Sequence, residues 1–375
     1  MKIMKLGLFD FSNSFFFFKG RVGLYATLKA MGIQKDDEVI LPGFTCVVVP
    51  NAILYCGAKP VYVDIEPKTY NINPELIESK ITSKTKAIIA QHTFGIPAKM
   101  DKIIAIARKY NLYVIEDSCH AIGSKYKGKE VGSFGDAAFF SSQWSKPVTT
   151  GLGGWVKINN ESLLPKIKEI YETLSKPKFK EEISLIIQYL LYKIFITSNT
   201  YLFIKKIYSF LYSKGIITGS STPEELNCLL PMDYAKKMSN WQKKTLCKNL
   251  QNVDKIIEHR KYVSTKYEEE IKKLGYEIKQ LSNDYDIVYL RYPLKAKDKN
   301  KILKDALKKG VEIGDWFVSP LHPLTSNLDY AYYEKGSCPI AESTCENIIN
   351  LPTHEKIKDK DIKKIIEFIG KYIYE

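Results

Sequence analysis

The strongest constraint on the fold of this chain is an alternation of short apolar segments with helix-like segments between residues 22 and 116. Strands are predicted at 38–41, 60–64, 87–90 and 112–116, and helices at 22–31, 47–54 and 102–109. Such alternation is typical of an α/β fold whose central sheet is mainly parallel. Ligands of these sheets collect where the strands end, and Thr45 and Asp117 lie at two such positions.

The pattern changes after residue 245, where a long amphipathic helix is predicted from Leu246 to Tyr262. Strands follow at 287–292 and 311–313, with helices at 299–309 and around 362–369. A chain of 375 residues is long for a single core. We therefore predict a large domain over 1–245 and a smaller α+β domain over 246–375.

An insert at about 176–221 contains two apolar runs, 183–196 and 201–212. Each run is shorter than the ~20 residues that span a bilayer, and Lys193 interrupts the combined stretch. Two buried or interfacial helices are predicted, forming a hairpin across 183–212. Its apolar surface fits contact with a membrane surface or with another subunit.

Composition excludes several classes of function. The net charge of +14 comes from lysines spread along the chain, with no arginine-rich stripe, so we expect no nucleic-acid partner. The excess charge suits a phosphate-bearing substrate or an anionic membrane surface. The seven cysteines form no C-x-x-C pair, so we expect no metal site and reduced thiols in a cytoplasmic protein, peripheral to the membrane if the hairpin binds it.

A lysine and an aspartate supply the most specific chemical signal. Lys146 lies in a loop of small residues that ends at Gly153-Gly154, and Asp117 closes the apolar strand 112–116. Pyridoxal 5′-phosphate (PLP) needs a lysine for its Schiff base and a carboxylate that keeps its ring nitrogen protonated. The pair therefore predicts a PLP site, although Asp117 alone is also compatible with a turn cap.

The stretches 20–46, 51–65 and 116–146, together with the motifs 320–322 and 351–354, carry a resemblance to a known family. They are similar to the DegT/DnrJ/EryC1/StrS sugar aminotransferases, which are PLP-dependent enzymes of fold type I. The resemblance implies a large, mixed but mainly parallel sheet domain and a smaller C-terminal α+β domain. It also implies a homodimer, since active sites of this fold type are built between two subunits.

The resemblance assigns roles at the cofactor ring. Lys146 would form the Schiff base and carry the proton during transamination, and Asp117 would pair with the pyridinium nitrogen. His120 would contact the 3-oxygen of the ring or its face, with a structural buried histidine as the alternative. Cys46 falls where many relatives carry an aromatic side chain that stacks on the ring.

The resemblance also assigns the cofactor phosphate. Ser141 would bind it, together with the backbone N–H groups of Arg21 and Val22 at the start of a helix whose dipole favours anions. Ser141 is also compatible with a plain position at a strand end. The Arg21 side chain would either add a charged contact to the phosphate or lie on the surface.

Two positions depart from the family pattern. Leu152 stands where the family usually has glutamate, and Ala235 stands where an asparagine reaches the partner subunit's cofactor phosphate. Lys236 or Lys237 would replace that contact by charge. These departures predict a divergent subgroup with a different acceptor.

The function expected from the resemblance is transfer of an amino group from an amino acid, glutamate by expectation, to a keto-sugar nucleotide. The product would serve cell-surface polysaccharide or glycoconjugate synthesis. Three alternatives stay open: a sugar dehydratase, a catalytically degenerate scaffold or regulatory protein, and a membrane-associated enzyme acting on a lipid-linked sugar. Lys146 argues against the dehydratase, whose relatives carry histidine there.

Overall fold

A seven-stranded sheet forms the centre of the fold. The computed structural model describes residues 5–6, 9–195, 221–278, 280–324 and 328–373. The strands are β1 (Lys5–Leu6), β2 (Phe9–Asp10), β3 (Ser14–Phe17), β4 (Glu38–Pro42), β5 (Thr45–Cys46), β6 (Lys59–Val63), β7 (Thr85–Gln91), β8 (Tyr113–Asp117), β9 (Lys125–Tyr126), β10 (Lys129–Glu130), β11 (Ala137–Ser141), β12 (Gly154–Ile158), β13 (Tyr285–Asp286), β14 (Arg291–Lys295), β15 (Leu321–His322) and β16 (Ile348–Pro352).

Helices cover the sheet and the strands outside it. They are α1 (Gly20–Ala30), α2 (Val48–Leu54), α3 (Met100–Lys109), α4 (Leu164–Thr173), α5 (Phe179–Phe195), α6 (Pro223–Leu226), α7 (Asn240–Leu250), α8 (Val253–Lys273), α9 (Lys299–Lys309), α10 (Pro339–Asn347) and α11 (Asp359–Ile373). Short 3₁₀ helices occur at Pro74–Leu76, Glu78–Lys80, Thr93–Gly95, Glu161–Leu163 and Leu328–Ala331.

The sheet is mixed but mainly parallel, as predicted. The strands from β11 through β8, β7 and β4 to β6 pair in parallel, while β12 and β3 add antiparallel partners beyond β11. All four strands predicted in the first half are confirmed. The sequence analysis missed β3, β11 and β12, although the phenylalanine run at 15–18 marks a buried edge in which Phe17 is fully buried.

The C-terminal residues build a second apolar cluster on the antiparallel pair β14–β16. Side chains from α8, α9 and α11 cover it, including Val263, Ile302 and Ile365. Two strands of the C-terminal part pair with strands of the first half of the chain: β13 pairs with β9, and β15 pairs with β5. The domain division at residue 245 stays a prediction.

Three predicted elements in this half are wrong in part. The long helix from Leu246 is two helices, α7 and α8, separated by a turn at 251–252. The strand expected at 287–292 starts only at Arg291, because the backbone before it bonds to loops: Val288 N–H donates to Ser124 Oγ at 2.9 Å. Residues 311–313 form no strand, and only Gly314 makes a bridge, to Asn350.

The first helix of the predicted hairpin is confirmed as α5, and the second run, 201–212, lies outside the described residues. One side of α5 buries Leu185 in an apolar cluster with Phe18 and Leu152. The other side exposes about half or more of Ile187, Leu190 and Ile194. In the described part of the chain, no helix is long and apolar enough to cross a membrane.

The two faces of α5 predict a matched pair of effects. Leu185→Ala leaves a cavity under the helix and should lower the free energy of unfolding by about 2–4 kcal/mol. Leu190→Ala removes the same atoms from an exposed position and should change it by less than about 0.5 kcal/mol. Denaturant unfolding of both variants measures the difference, and equal losses would show that α5 does not pack as described.

Candidate active site

A cleft where the parallel strands end collects the predicted site residues, with one exception. It is lined by Arg21, Cys46, Asp117, His120, Ser141 and Lys146. These residues lie on α1, β5, β8, β11 and the loops that follow β8 and β11. Val22 is the exception, since it is fully buried and does not line the cleft. Lys19, Gln91 and Leu152 complete the walls together with small and apolar residues.

Asp117 ends β8 as a buried carboxylate, 7% exposed. Its Oδ1 accepts a hydrogen bond from the Cys119 backbone N–H at 3.0 Å. Burial raises the pKa of Asp117, although the bonds from Cys119 and the nearby charge of Lys146 partly offset this effect. A cationic N–H group in the cleft would stabilise the ionised carboxylate, which is what a protonated pyridine nitrogen offers.

Lys146 extends from the loop 142–153 between β11 and β12. Backbone bonds close the base of this loop: Ser142 N–H donates to Gly153 O at 2.9 Å, and Thr150 N–H donates to Ser142 O at 2.8 Å. Desolvation by the surrounding protein lowers the pKa of Lys146, while Cys119 and Asp117 oppose the shift. A lowered pKa increases the fraction of neutral amine, which is the nucleophilic form.

His120 is buried, and its ring stacks on Trp316 with centroids 5.6 Å apart and planes at 17°. Its Nδ1 accepts the Phe94 backbone N–H at 3.3 Å, so Nε2 carries the proton in the neutral ring. Burial, together with the charges of Lys146 and Arg291, places the pKa of His120 well below its usual value. His120 is therefore a neutral hydrogen-bond donor at physiological pH.

The first turn of α1 meets the end of β11 with almost no space between them. A Cβ on Gly20 would lie 2.9 Å from Phe140 O and 3.3 Å from Ser141 Cβ. The turn contains no acidic residue, and no side chain caps it. Its N–H groups and the adjacent Ser141 hydroxyl therefore form a place where an anion is favoured.

The predicted contribution of Val22 to this anion site fits the structure less well. Its N–H already donates to Lys19 O at 3.1 Å. The amides of Gly20 and Arg21 lie earlier in the same turn, where helical N–H groups have no intrahelical partner. An anion contact from Val22 stays a prediction.

Arg21 is buried, which removes the alternative of a surface arginine. Its Nη1 donates to Glu225 Oε1 at 2.6 Å, and Lys19 Nζ lies 3.2 Å from the other carboxylate oxygen. Burial alone would raise the pKa of Glu225, but the two cations hold it below its usual value. The sequence analysis missed Glu225, whose local signal is only the capping box that begins at Thr222.

The two departures from the family pattern have different structural settings. Leu152 is buried against α5, so an apolar residue there matches the apolar insert. Lys236 Nζ lies 2.7 Å from Glu181 Oε1 of α5, and Lys237 Nζ donates to Glu172 O at 3.0 Å. Because both lysines are engaged within the chain, their replacement of the missing asparagine contact stays a prediction.

Comparison with known proteins agrees with this geometry. The profile of the DegT/DnrJ/EryC1/StrS aminotransferase family matches residues 17–370. The chain belongs to this family. It is 30% identical over 357 residues to GDP-perosamine synthase from Caulobacter vibrioides, covering 92% of this chain and 82% of that protein.

Two further proteins are similar to this chain. The chain is 27% identical over 347 residues to UDP-2-acetamido-2-deoxy-3-oxo-D-glucuronate aminotransferase from Pseudomonas aeruginosa, covering 92% of this chain and 82% of that protein. The crystal structure of a family aminotransferase from Brucella abortus superposes with a TM-score of 0.73 at 23% identity. That alignment covers 98% of this chain and 86% of the other and confirms the predicted fold. The predicted family is confirmed by the match of its profile over residues 17–370.

The Arg21–Glu225 pair gives a stability prediction with a neighbouring control. Glu225→Gln leaves Arg21 and Lys19 without their counter-charge and should lower the free energy of unfolding by about 3 kcal/mol at pH 7. Glu224→Gln, in the same short helix but exposed, should have little effect.

The pH dependence of the Glu225→Gln effect follows from the lowered pKa of Glu225. Its ionised form stabilises the fold fully above the unfolded-state pKa, near 4.3, and that contribution is lost as the pH falls through the lower folded-state pKa. Denaturant unfolding at several pH values measures the difference. A loss that persists unchanged in strong acid would contradict the ion-pair account.

Proposed function

We propose that this protein is a PLP-dependent aminotransferase that moves the amino group of an amino acid to a keto-sugar nucleotide. The observation that supports it most directly is the shared cleft of Lys146 and Asp117. A lysine of lowered pKa and a buried carboxylate are the two groups that PLP requires. Membership of a PLP-dependent family supports the same cofactor.

The residues of the cleft fit PLP at both of its ends. Asp117 would hold the proton on the ring nitrogen, and the neutral His120 would donate to the 3-oxygen or cover the ring face. Ser141 and the first turn of α1 would bind the phosphate, with Arg21 as an adjacent positive charge. Cys46 would leave room at the ring where a larger side chain would stack.

When bound, PLP supplies an electron sink for the carbon that gains or loses the amino group. Lys146 would hold the cofactor through its Nζ between turnovers and move the proton at the reacting carbon. Asp117 would be ionised when it pairs with the protonated ring nitrogen, whose charge offsets the effect of burial on its pKa. The exchange converts an amino acid and a keto-sugar into a 2-oxo acid and an amino-sugar, so it needs no external oxidant.

The relatives support a nucleotide sugar as the acceptor. GDP-perosamine synthase and a UDP-sugar aminotransferase carry nucleotide sugars in their names, and the net charge of +14 suits an anionic substrate. We propose glutamate as the donor and surface polysaccharide or glycoconjugate synthesis as the context. A degenerate scaffold is less well supported, because the chain keeps both Lys146 and Asp117 and the departure at Leu152 has a packing explanation.

The proposal also includes two associations of this protein, a homodimer and contact with a membrane surface. A homodimer is expected from the family resemblance, and sedimentation equilibrium measures it. Contact of 183–212 with a membrane surface would use the exposed side of α5, including Ile187 and Ile194. Flotation with anionic vesicles measures that contact, and recovery of all protein in the lipid-free fraction would argue against it.

Asp117→Asn tests the proposed chemistry. Addition of PLP to the wild-type protein should give a visible absorption band, and glutamate should bleach it. The variant lacks the negative charge beside the ring nitrogen, so the glutamate-dependent change should slow by about 10²-fold or more.

The matched control is Asp101→Asn, because Asp101 is an exposed aspartate at the start of α3. It should leave the rate unchanged. A wild-type protein that binds no PLP would contradict the enzyme proposal. A visible absorption band that forms with PLP but does not change on addition of glutamate would contradict glutamate as the donor.

A further inference from the structure

The loop 142–153 carries Lys146 at the end of a β-turn. The turn runs from Gln143 to Lys146, and the Lys146 N–H donates to Gln143 O at 2.9 Å. Its central peptide joins Trp144 to Ser145. Turns of types I and II share this closing bond and differ by a rotation of the central peptide. The closing bond therefore leaves open the backbone angles of the two residues directly before the lysine.

Tyr192, on α5 of the insert, supplies a restraint on this central peptide. Its hydroxyl donates to Trp144 O, the carbonyl of that peptide, at 3.2 Å. The two aromatic rings also pack against each other, with centroids 5.2 Å apart and planes at 45°. A donor on this side of the turn favours the one orientation of the peptide in which its oxygen faces α5.

The Tyr192 ring has a second contact that limits its movement. Lys356 Nζ lies 5.0 Å from the centroid of the ring, a distance at which a cation is attracted to an aromatic face. Lys356 belongs to the C-terminal half of the chain, between β16 and α11. The tyrosine is thus held between the lysine loop 142–153 and a segment distant in sequence.

The lysine loop packs directly on α5 at a second point. A Cβ added at Gly151 would lie 2.7 Å from Leu185 Cδ1 and 2.9 Å from Trp144 Cη2. No side chain fits at this position without a shift of the helix or the indole. The close approach keeps α5 against the loop, so that the hydroxyl of Tyr192 stays within reach of the turn.

The far limb of the loop is tied to the same helix through α7. Asn249 Nδ2 donates to Thr149 O at 2.7 Å and lies 2.9 Å from the hydroxyl oxygen of Tyr189, one turn before Tyr192 on α5. Tyr189 is buried. The insert helix therefore restrains the loop on both sides of Lys146, directly at Trp144 and through Asn249 at Thr149.

We propose that Tyr192 is a positioning residue for Lys146. Its bond to Trp144 O fixes the turn, so that the lysine amine is held where the cofactor attaches and where a proton must be moved. The inference rests on the amino-transfer function proposed above and gives the insert a part in it. Small displacements of a reactive group are costly in rate, and groups that support it from behind prevent them.

Tyr171 provides a matched control. Its hydroxyl, like that of Tyr192, donates to a backbone carbonyl, Phe16 O, at 3.0 Å. Its ring also packs on an aromatic neighbour, Phe17, at 5.4 Å. Tyr171→Phe and Tyr192→Phe remove the same atom and the same type of bond, but only the second change acts on the turn of Lys146.

The first measurement is exchange of backbone amide hydrogens, read by mass spectrometry in protein without cofactor. Tyr192→Phe should speed exchange over residues 142–153 by about 5-fold, roughly the change that one ordinary hydrogen bond supports. Tyr171→Phe should exchange there as wild type does. Thermal melting should show similar, small losses of stability in both variants, so a general loosening of the fold cannot explain a difference between them.

The second measurement is the rate at which the visible absorption band appears after addition of PLP. This rate should fall by about 5-fold in Tyr192→Phe, because the amine is correctly placed for a smaller fraction of the time. Tyr171→Phe should match wild type. The band reports attachment of the cofactor and needs neither an amino donor nor a sugar.

The outcomes separate this inference from the proposed function. Absence of the band in the wild type contradicts the proposed function, and amide exchange without cofactor then still tests the restraint on the turn. Equal exchange and equal band rates in the two variants would overturn the inference. Faster exchange with an unchanged band rate would also overturn it, since the restraint would then not position the lysine. A slower band without faster exchange would show that Tyr192 acts by another route and would overturn it as well.

Discussion

The site depends on the close approach of α1 to the ends of β11 and β12. A Cβ on Gly154 would lie 2.3 Å from Gly20 Cα, so the two backbones meet without a side chain between them. This contact puts the uncapped first turn of α1 beside Ser141 at the end of β11. The lysine loop starts from the same strand end, and the neighbouring parallel strand β8 delivers Asp117. One backbone contact and one strand pairing thus assemble an anion site, an amine and a carboxylate.

Electrostatics then determine what the cleft binds. Burial lowers the pKa of Lys146 and raises that of Asp117, so both shifts favour the neutral forms. The neutral His120 adds no charge, while Arg291 adds a cation that lacks an ion-pair partner among the described residues. A ligand with a cationic ring nitrogen would stabilise the ionised form of Asp117, and its anionic groups would stabilise the positive charges of the cleft. PLP with an amino acid has that distribution of charge.

Local pattern and family resemblance were enough to predict the α/β order and the meeting of Lys146 with Asp117. Periodicity predicts β8, the strand that Asp117 ends. The strand before Lys146, β11, was missed, so the meeting of the two residues was predicted from the needs of the cofactor and from the resemblance. The missing parts depend on contacts that no local pattern encodes. Glu225 lies 204 residues from Arg21, and Arg291 contacts Trp316, which lies outside its own strand β14.

Other misses have local physical causes. Residues 287–290 are apolar enough for a strand, but their N–H groups bond to loops, as Leu290 does to Phe94 O. The α7–α8 break occurs in a stretch whose apolar spacing continues across it, so periodicity alone could not locate it. Leu152 looked like a defect in a family motif, whereas its burial against Leu185 shows a packing role created by the insert.

The most direct test of the account is to locate the lysine that binds the cofactor. Two lysines, Lys19 and Lys146, line the cleft within the described residues. Borohydride reduction of the protein with PLP, followed by digestion and mass spectrometry, converts a reversible attachment into a permanent label. The account predicts a single labelled peptide containing Lys146, with Lys19 unmodified because it pairs with Glu225. A label on Lys19, or no label above that of the Lys146→Ala variant, would contradict it.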